Sequence, residues 1–511
     1  METRLPDCLS VEPGKAKLHA PLDMFDLAVR LEAEGVTDEA AHADYGFATT
    51  MAMARDCFPS IERAAKAQGP ARPADEQGGE SILRAWLRGT AFALPMLLCA
   101  AALMSTGVSL WGGDLPGDTA SAVAIATVAS LIVTGGFVQA MARRGLFHIG
   151  ARNFQMAAAL CSLWGRTAAV ALGVTAAGAQ VANLLFDWMP ASLAAWSSAF
   201  FLLLGFYWLA CGALYIVGRG RWIVLSTVAG IATVAALHLG AGVGLLTAQL
   251  MAVTIATLTA VAGTGLFFRK QGVRLDQCSA GPISPARELY LTAPYFLYGA
   301  AYYVFMFTDR LLAWTAGTNA AALPLQFRGD YETALDLAMV ALVPQAGLVQ
   351  ASLVSFHREV RRVQEALPAG HFSRFNEMLR EFYLWRVARI AAFGFAASGA
   401  VFAAVTHLHL LPFEAMRPVL LLALAAFPVL VMGLWNASLL FALGTPTPVV
   451  GAVTLGIAFS LAPGYLLTRT GSYDAAVVGF LIGAFTFAAV SGFSVLKRFR
   501  SLDHHYYASA L

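Results

Sequence analysis

The sequence has few charged residues. Only 13% of its 511 residues are Asp, Glu, Lys or Arg, while 58% are hydrophobic, and soluble proteins have about 25% charged residues. The mean hydropathy is +0.65. The formal net charge of +3 is too small to indicate a nucleic-acid partner. These values predict a polytopic membrane protein.

Several catalytic and metal-binding signatures are also absent from the sequence. Residues 1–80 contain no signal peptide pattern, and no P-loop, nucleophile elbow or HExxH motif occurs. We therefore expect neither an enzyme nor a cofactor. The six cysteines stand singly, without a CxxC pair, which argues against a disulfide framework or a zinc site; they are Cys8, Cys57, Cys99, Cys161, Cys211 and Cys278.

The apolar residues fall into runs long enough to cross a bilayer, which takes about 20 residues per helix. The predicted fold is all-α, with about twelve transmembrane helices and a small cytosolic N-terminal helical extension. The spans are expected near 89–109, 119–141, 156–186, 192–217, 222–239, 243–268, 288–308, 333–356, 386–408, 418–442, 448–468 and 474–496.

Charge in the connections predicts the orientation. Basic residues concentrate in alternate connections, whereas the others hold only Arg310, Arg328, Arg417 and Arg469. By the positive-inside rule the basic connections face the cytoplasm. We expect a multi-pass membrane protein with both termini cytoplasmic. The basic stretch 355–386 is amphipathic and is expected to lie on the anionic inner leaflet or to contact a cytosolic protein.

An internal repeat is indicated at the start of each half. Arg88 stands seven residues before Pro95, and Arg287 stands seven residues before Pro294. This predicts two six-helix lobes related by a parallel repeat. The expected units are a helical extension (1–66) that docks a partner or caps the inner face, a linker (67–83), an N-lobe (84–268), an inter-lobe loop (269–287), a C-lobe (288–500) and a tail (501–511).

An aromatic stripe marks the seventh span. Tyr295, Tyr298, Tyr302, Phe305 and Asp309 are spaced by 3, 4, 3 and 4 residues, which places them on one helical face. Tyrosine in mid-membrane needs a partner for its hydroxyl, and such a face could stack on sugar rings. The two hypotheses are a substrate path and an aromatic helix–helix seam with an interfacial belt.

Charged residues cluster where this span ends. Asp309 and Arg310 are followed, across a short connection, by Glu332 and Asp336, which share a helical face. Intramembrane charges are costly, so they usually face a cavity or a partner. We expect ion coupling or gating here, or alternatively a rim of solvated charges. Arg166 inside the third span is expected to meet an anionic ligand group or a carboxylate, unless that span begins after it.

The middle of the chain resembles the Pel-type exopolysaccharide transporters of the multidrug/oligosaccharidyl-lipid/polysaccharide exporter (MOP) superfamily. The resemblance is carried by "LYLTAPYFLYGAAYYVFMFTDRLLAW" and "YETALDLAMVALVPQAGLVQASLVSFHREV", and by "FYWLACGALYIVGRGRW". The chain departs from the family in its N-terminal extension and in "LFALGTPTPVV". The matching positions are Asp309, Arg310, Trp314, Tyr331, Glu332, Pro344, Glu359, Trp208, Arg219 and Arg221.

This resemblance implies two lobes around a central cavity that moves a saccharide polymer or a lipid-linked saccharide outward, with Trp208 on the substrate path. It also implies a cytosolic glycosyltransferase and other membrane subunits as partners. Two alternatives stay open. One is an ion-coupled small-molecule or multidrug antiporter of the same superfamily, and the other is a non-transporting membrane scaffold for a synthase complex.

Overall fold

A computed structural model describes residues 23–33, 36–67, 81–273, 285–316, 325–367, 371–411 and 414–504. These residues are helical apart from short connections and one isolated bridge between Val108 and Gly113. Parts of the predicted extension, linker, inter-lobe loop and tail lie outside the described residues, namely 1–22, 34–35, 68–80, 274–284 and 505–511.

Three short helices precede the membrane bundle: α1 (Met24–Ala33), α2 (Asp38–Tyr45) and α3 (Thr50–Ala67). They share a small apolar core that includes Leu27, Leu31 and Met53. Thr37 caps α2 by accepting a hydrogen bond from the Ala40 backbone N–H. The Phe25 ring packs edge-on against Phe372, with centroids 4.9 Å apart, so the extension contacts the first turn of a bundle helix.

Six long helices form the N-lobe and surround one apolar core. The first begins at a Ser81 cap and ends at Gly107, whose φ of +75° suits glycine. The helices are α4 (Ile82–Thr106), α5 (Gly117–Gly150), α6 (Phe154–Phe186), α7 (Ala191–Ile216), α8 (Gly220–Val234, continued by a π-turn over Ala235–Gly240) and α9 (Leu245–Lys270).

The C-lobe has a separate core and one divided helix. Its helices are α10 (Pro285–Thr315), α11 (Gly329–Met339), α12 (Leu342–Ala366), α13 (Phe372–His407), α14 (Arg417–Ala442), α15 (Thr447–Thr470) and α16 (Ala476–Arg498). Together with the N-lobe they form a polytopic all-α membrane protein. Each of the twelve spans predicted from the sequence falls on one of these helices or on the α11–α12 pair.

Eleven helical segments of the described residues are long and apolar enough to cross a membrane. Helix α10 is not among them, because its tyrosines and Pro294 lower its hydropathy. It is nevertheless 31 residues long, about 46 Å. It packs against α5, α15 and α16 inside the bundle, and so completes the C-lobe.

Two glycine-mediated crossings join the lobes. A Cβ on Gly135 of α5 would lie 2.6 Å from the carbonyl oxygen of Gly299 on α10. A Cβ on Gly89 of α4 would lie 2.7 Å from the carbonyl oxygen of Ala346 on α12. These helices therefore touch backbone to backbone.

A salt bridge joins the lobes at one end of the bundle. Arg144 of α5 pairs with Glu288 of α10 through two contacts, 2.7 and 2.9 Å long. We call this end, where most of the arginine-rich connections lie, the basic end.

Candidate functional site

A buried charge cluster lies between the last turns of α10 and helix α11, away from the basic end. Arg310 Nη1 donates to Glu332 Oε2 at 2.6 Å, and Arg310 Nη2 contacts Asp336 Oδ1 at 3.2 Å. The same Nη2 approaches Met339 Sδ at 3.0 Å. Glu332 and Asp336 are one turn apart on α11, so both face α10, as their spacing in the sequence predicts.

Two aromatic side chains complete the hydrogen bonds of the cluster. Tyr331 is fully buried, and its hydroxyl donates to Asp309 Oδ2 at 2.9 Å. Trp314 Nε1 donates to Glu332 Oε1 at 2.9 Å. Both oxygens of Glu332 are therefore occupied. A buried carboxylate is tolerated only when it is paired in this way.

The cluster contains three carboxyl groups and one guanidinium, but only one carboxyl group is left uncovered by the protein. Asp309 is 2% exposed and Glu332 5%, whereas the side chain of Asp336 is 46% exposed. Asp336 is therefore the member of the cluster that groups outside the protein can contact. Asp336 in turn contacts the guanidinium that also holds Glu332.

The division between α11 and α12 lies beside this cluster. Pro344 has no N–H to bond the Val340 carbonyl oxygen, so one α-helical hydrogen bond is missing at this turn. A shorter-range bond closes the turn instead, with Val343 N donating to Val340 O at 3.3 Å. Buried Gln345 donates to the Ala341 carbonyl oxygen at 2.8 Å. A break in the α-helical hydrogen bonds thus directly follows Met339, although Val340 and Ala341 keep helical backbone angles.

The tyrosine face of α10 packs mainly against protein. Tyr295 and Tyr298 are buried, and each contacts the ring of Phe441 with centroids 5.0 Å apart. Tyr295 also lies under the guanidinium of Arg143, at 5.1 Å. Tyr302 is half-buried and neighbours Tyr298 at 6.0 Å. In these positions the aromatic seam that we considered as an alternative accounts for Tyr295 and Tyr298.

Phe305, which we expected on the substrate path, lies inside the C-lobe. It is fully buried in the C-lobe core, between the rings of Phe480 and Phe487. Its helical spacing placed it on the tyrosine face correctly, but the part of that face near Phe305 turns into the lobe interior. Phe305 does not line an open surface in this conformation.

The structure does not bring the other two predicted path residues to the tyrosines. Trp208 donates to Ser130 Oγ at 3.1 Å and packs on Trp111, all within the N-lobe. Arg166 is exposed on α6. It lies two residues, or about 200° around a helix, from Trp164, which is buried near α5. Arg166 therefore faces away from the core of its lobe.

The sequence reasoning missed two contributions. Tyr331 was noted only as part of the family resemblance, although it is the hydrogen-bond donor to Asp309. The inter-lobe pair of Arg144 and Glu288 was also missed, since the basic residues of the connections were used only to predict orientation. The sequence feature that could have indicated this pair is Glu288, an acidic residue in the first turn of an otherwise apolar helix.

Within the described residues there is no group of three or more His, Cys, Asp or Glu side chains placed to hold a metal ion. The carboxyl groups of the cluster are spread around the guanidinium of Arg310 instead of converging on one point.

No family model matches the chain, and no curated protein does. Solved structures of MATE transporters do match it. An outward-facing multidrug resistance MATE transporter of the MOP superfamily has a TM-score of 0.55 at 15% identity, over 83% of this chain and 99% of its own.

An inward-facing structure of such a transporter gives a TM-score of 0.55 at 13% identity, over 80% of this chain and 95% of its own. A eukaryotic MATE transporter gives 0.56 at 14% identity, over 84% and 98%. The chain therefore has the fold of the MATE transporters.

Proposed function

We propose that the chain is an ion-coupled membrane transporter in which the Arg310 cluster links ion occupancy to helix packing. The observation that carries this proposal is the mixed exposure of the cluster: Asp336 is 46% exposed on its side chain, while Arg310 and Glu332 are buried. A group that only stabilised the fold would have no need of a solvent-exposed carboxylate in contact with a buried ion pair.

The proposed coupling follows from the contacts. When Asp336 accepts a proton or a cation, its 3.2 Å contact with Arg310 Nη2 is weakened, and Arg310 keeps its contacts with Glu332, Met339 and the Phe307 ring. The packing of α10 on α11 changes accordingly. The turn at 340–341 lets α11 shift without moving the whole of α12, because the hydrogen-bond ladder is already interrupted there.

For the substrate we propose a saccharide polymer or a lipid-linked saccharide, exported as the resemblance to the Pel-type transporters implies. The half-buried phenol of Tyr302, beside Tyr298, supplies a ring and a hydroxyl of the kind that binds sugars. In this proposal the basic end faces the cytoplasm of a bacterial inner membrane. Helices α1 to α3 of the extension and the start of α13 lie on that side in this proposal, next to a cytosolic glycosyltransferase and other membrane subunits.

A multidrug antiporter is the second candidate function. It is favoured by the excess of carboxyl groups over guanidinium in the cluster, which suits a cationic cargo, and by the fold shared with multidrug resistance MATE transporters. A non-transporting scaffold is the third candidate function, but it gives no role to the contact between half-exposed Asp336 and buried Arg310.

One experiment separates these functions. The gene is deleted in its host, and two quantities are measured: extracellular carbohydrate and cellular accumulation of a cationic dye. Complementation with Asp336→Asn should lose most of the affected activity at unchanged membrane abundance. The matched control, Asp118→Asn, changes an exposed aspartate at the start of α5 and should retain that activity.

The substrate class is tested in the same cells. Loss of extracellular carbohydrate with normal dye content supports saccharide export, and the reverse supports drug antiport. Tyr302→Leu should reduce saccharide export, whereas Tyr290→Leu, at a position 82% exposed on the same helix, should not. Wild-type behaviour of Asp336→Asn in both assays would refute the coupling role of the cluster.

A further inference from the structure

An arginine pair on α13 stands where that helix enters the bilayer. From Ile390 to His407 the helix has 18 residues without Asp, Glu, Lys or Arg, a length of about 27 Å. This nearly equals the hydrocarbon thickness of a bilayer, about 30 Å. Arg389 and, one turn earlier, Arg386 therefore lie at the level of the lipid headgroups.

The side chains around this pair face outward from the bundle. Arg389 is exposed, and Trp385, one turn earlier on the same face, is 70% exposed. Leu384 is 46% exposed. Exposed tryptophan at the end of an apolar segment is typical of the membrane interface. The arginines thus share a lipid-facing surface with an interfacial anchor.

The local charge is not balanced. Arg386 and Arg389 are three residues apart on one helical face, where like charges repel. The nearby acidic group on α12 is Glu359, which is already bonded to Arg362 at 2.6 Å. The Arg386 guanidinium lies over the Phe382 ring at 5.1 Å, which fixes its position. Glu359 therefore interacts with both Arg362 and Arg386.

We propose that Arg386 and Arg389, with Trp385 beside them, form a binding site for the phosphate of an anionic phospholipid. Guanidinium groups bind phosphate through paired hydrogen bonds, and a headgroup phosphate lies at the depth that the apolar segment sets. The site attaches α13 to one leaflet. Phe372 at the start of the same helix contacts Phe25 of the N-terminal extension. The lipid therefore also sets the height of the extension above the membrane.

The test uses the full chain purified in detergent. Thermal unfolding and native mass spectrometry are recorded with added phosphatidylglycerol, phosphatidylcholine or inorganic phosphate. We expect a stabilising shift and retained adducts with phosphatidylglycerol, and little effect of the other two. The double variant Arg386→Gln/Arg389→Gln should bind phosphatidylglycerol about 30-fold more weakly. Each basic residue near an anionic headgroup contributes about fivefold to the affinity.

The matched control is Arg374→Gln, which removes a charge from the exposed start of the same helix, where Arg374 pairs with Glu377 at 2.8 Å. It should keep the phosphatidylglycerol effect. An equal effect of phosphatidylcholine, an equal effect of inorganic phosphate, or full retention by the double variant would each overturn the proposal. Circular dichroism of the double variant distinguishes lost binding from lost folding.

Discussion

Replacing Arg310 by Gln should destabilise the protein strongly. Arg310 is 9% exposed, Glu332 is 5% exposed, and their charged atoms are 2.6 Å apart. Removing one partner of such a buried pair leaves the other charge uncompensated, at a cost of about 3–5 kcal/mol. Glutamine keeps similar size and hydrogen-bonding atoms, so the loss reports mainly on charge. The free energy of unfolding is measured by denaturant titration in mixed micelles.

The control for this variant is Arg469→Gln. Arg469 lies near the same end of the bundle and bonds the backbone and hydroxyl oxygens of Thr315, at 2.7 and 2.8 Å, but it is exposed. Its loss should cost below about 1 kcal/mol. In Arg310→Met/Glu332→Leu the buried partner of Arg310 is removed with it, so part of the stability should return; Asp336 also loses its contact with Arg310, but its side chain is 46% exposed. Equal small losses for Arg310→Gln and Arg469→Gln would refute this account.

Two further predictions concern neighbouring contacts. Tyr331→Phe removes only the hydroxyl that donates to Asp309 at 2.9 Å. It should lower the free energy of unfolding by about 1–3 kcal/mol, because a buried carboxyl oxygen loses its donor. The same denaturant titration measures this change, and an unchanged free energy would contradict the hydrogen bond. Gly299→Leu puts a side chain where α10 touches the Gly135 backbone, and should prevent the lobes from closing at this crossing. A cysteine pair at Arg144 and Glu288 should then cross-link poorly, while Gly265→Leu, at a position with open space, should leave cross-linking intact.

The helices could be predicted from the sequence because lipid demands long apolar segments whose backbone is satisfied internally. Helix α10 shows the limit of hydropathy alone. Its tyrosines lower its score, yet its length and stripe identified it as a span. The pairing of Arg310 with α11 was predictable as well, since a short connection makes neighbours antiparallel and the spacing of Glu332 and Asp336 gives one face.

The rotation of each helix about its own axis could not be predicted. A stripe such as Tyr298, Tyr302 and Phe305 shows that one face is special, but periodicity does not tell whether that face meets a cavity or another helix. The neighbours decide it, here Phe441 for one end of the stripe and Phe480 for the other. The outward direction of Arg166 was hidden for the same reason.

The contact of Gly135 with Gly299 limits how the two halves of the molecule can separate. Where two backbones are in direct contact, a change of side-chain rotamer cannot open a gap between them. Helices α5 and α10 must separate as rigid bodies, so the gap at this level opens in one step. An opening there would expose main chain flanked by the rings of Phe296 and Tyr303.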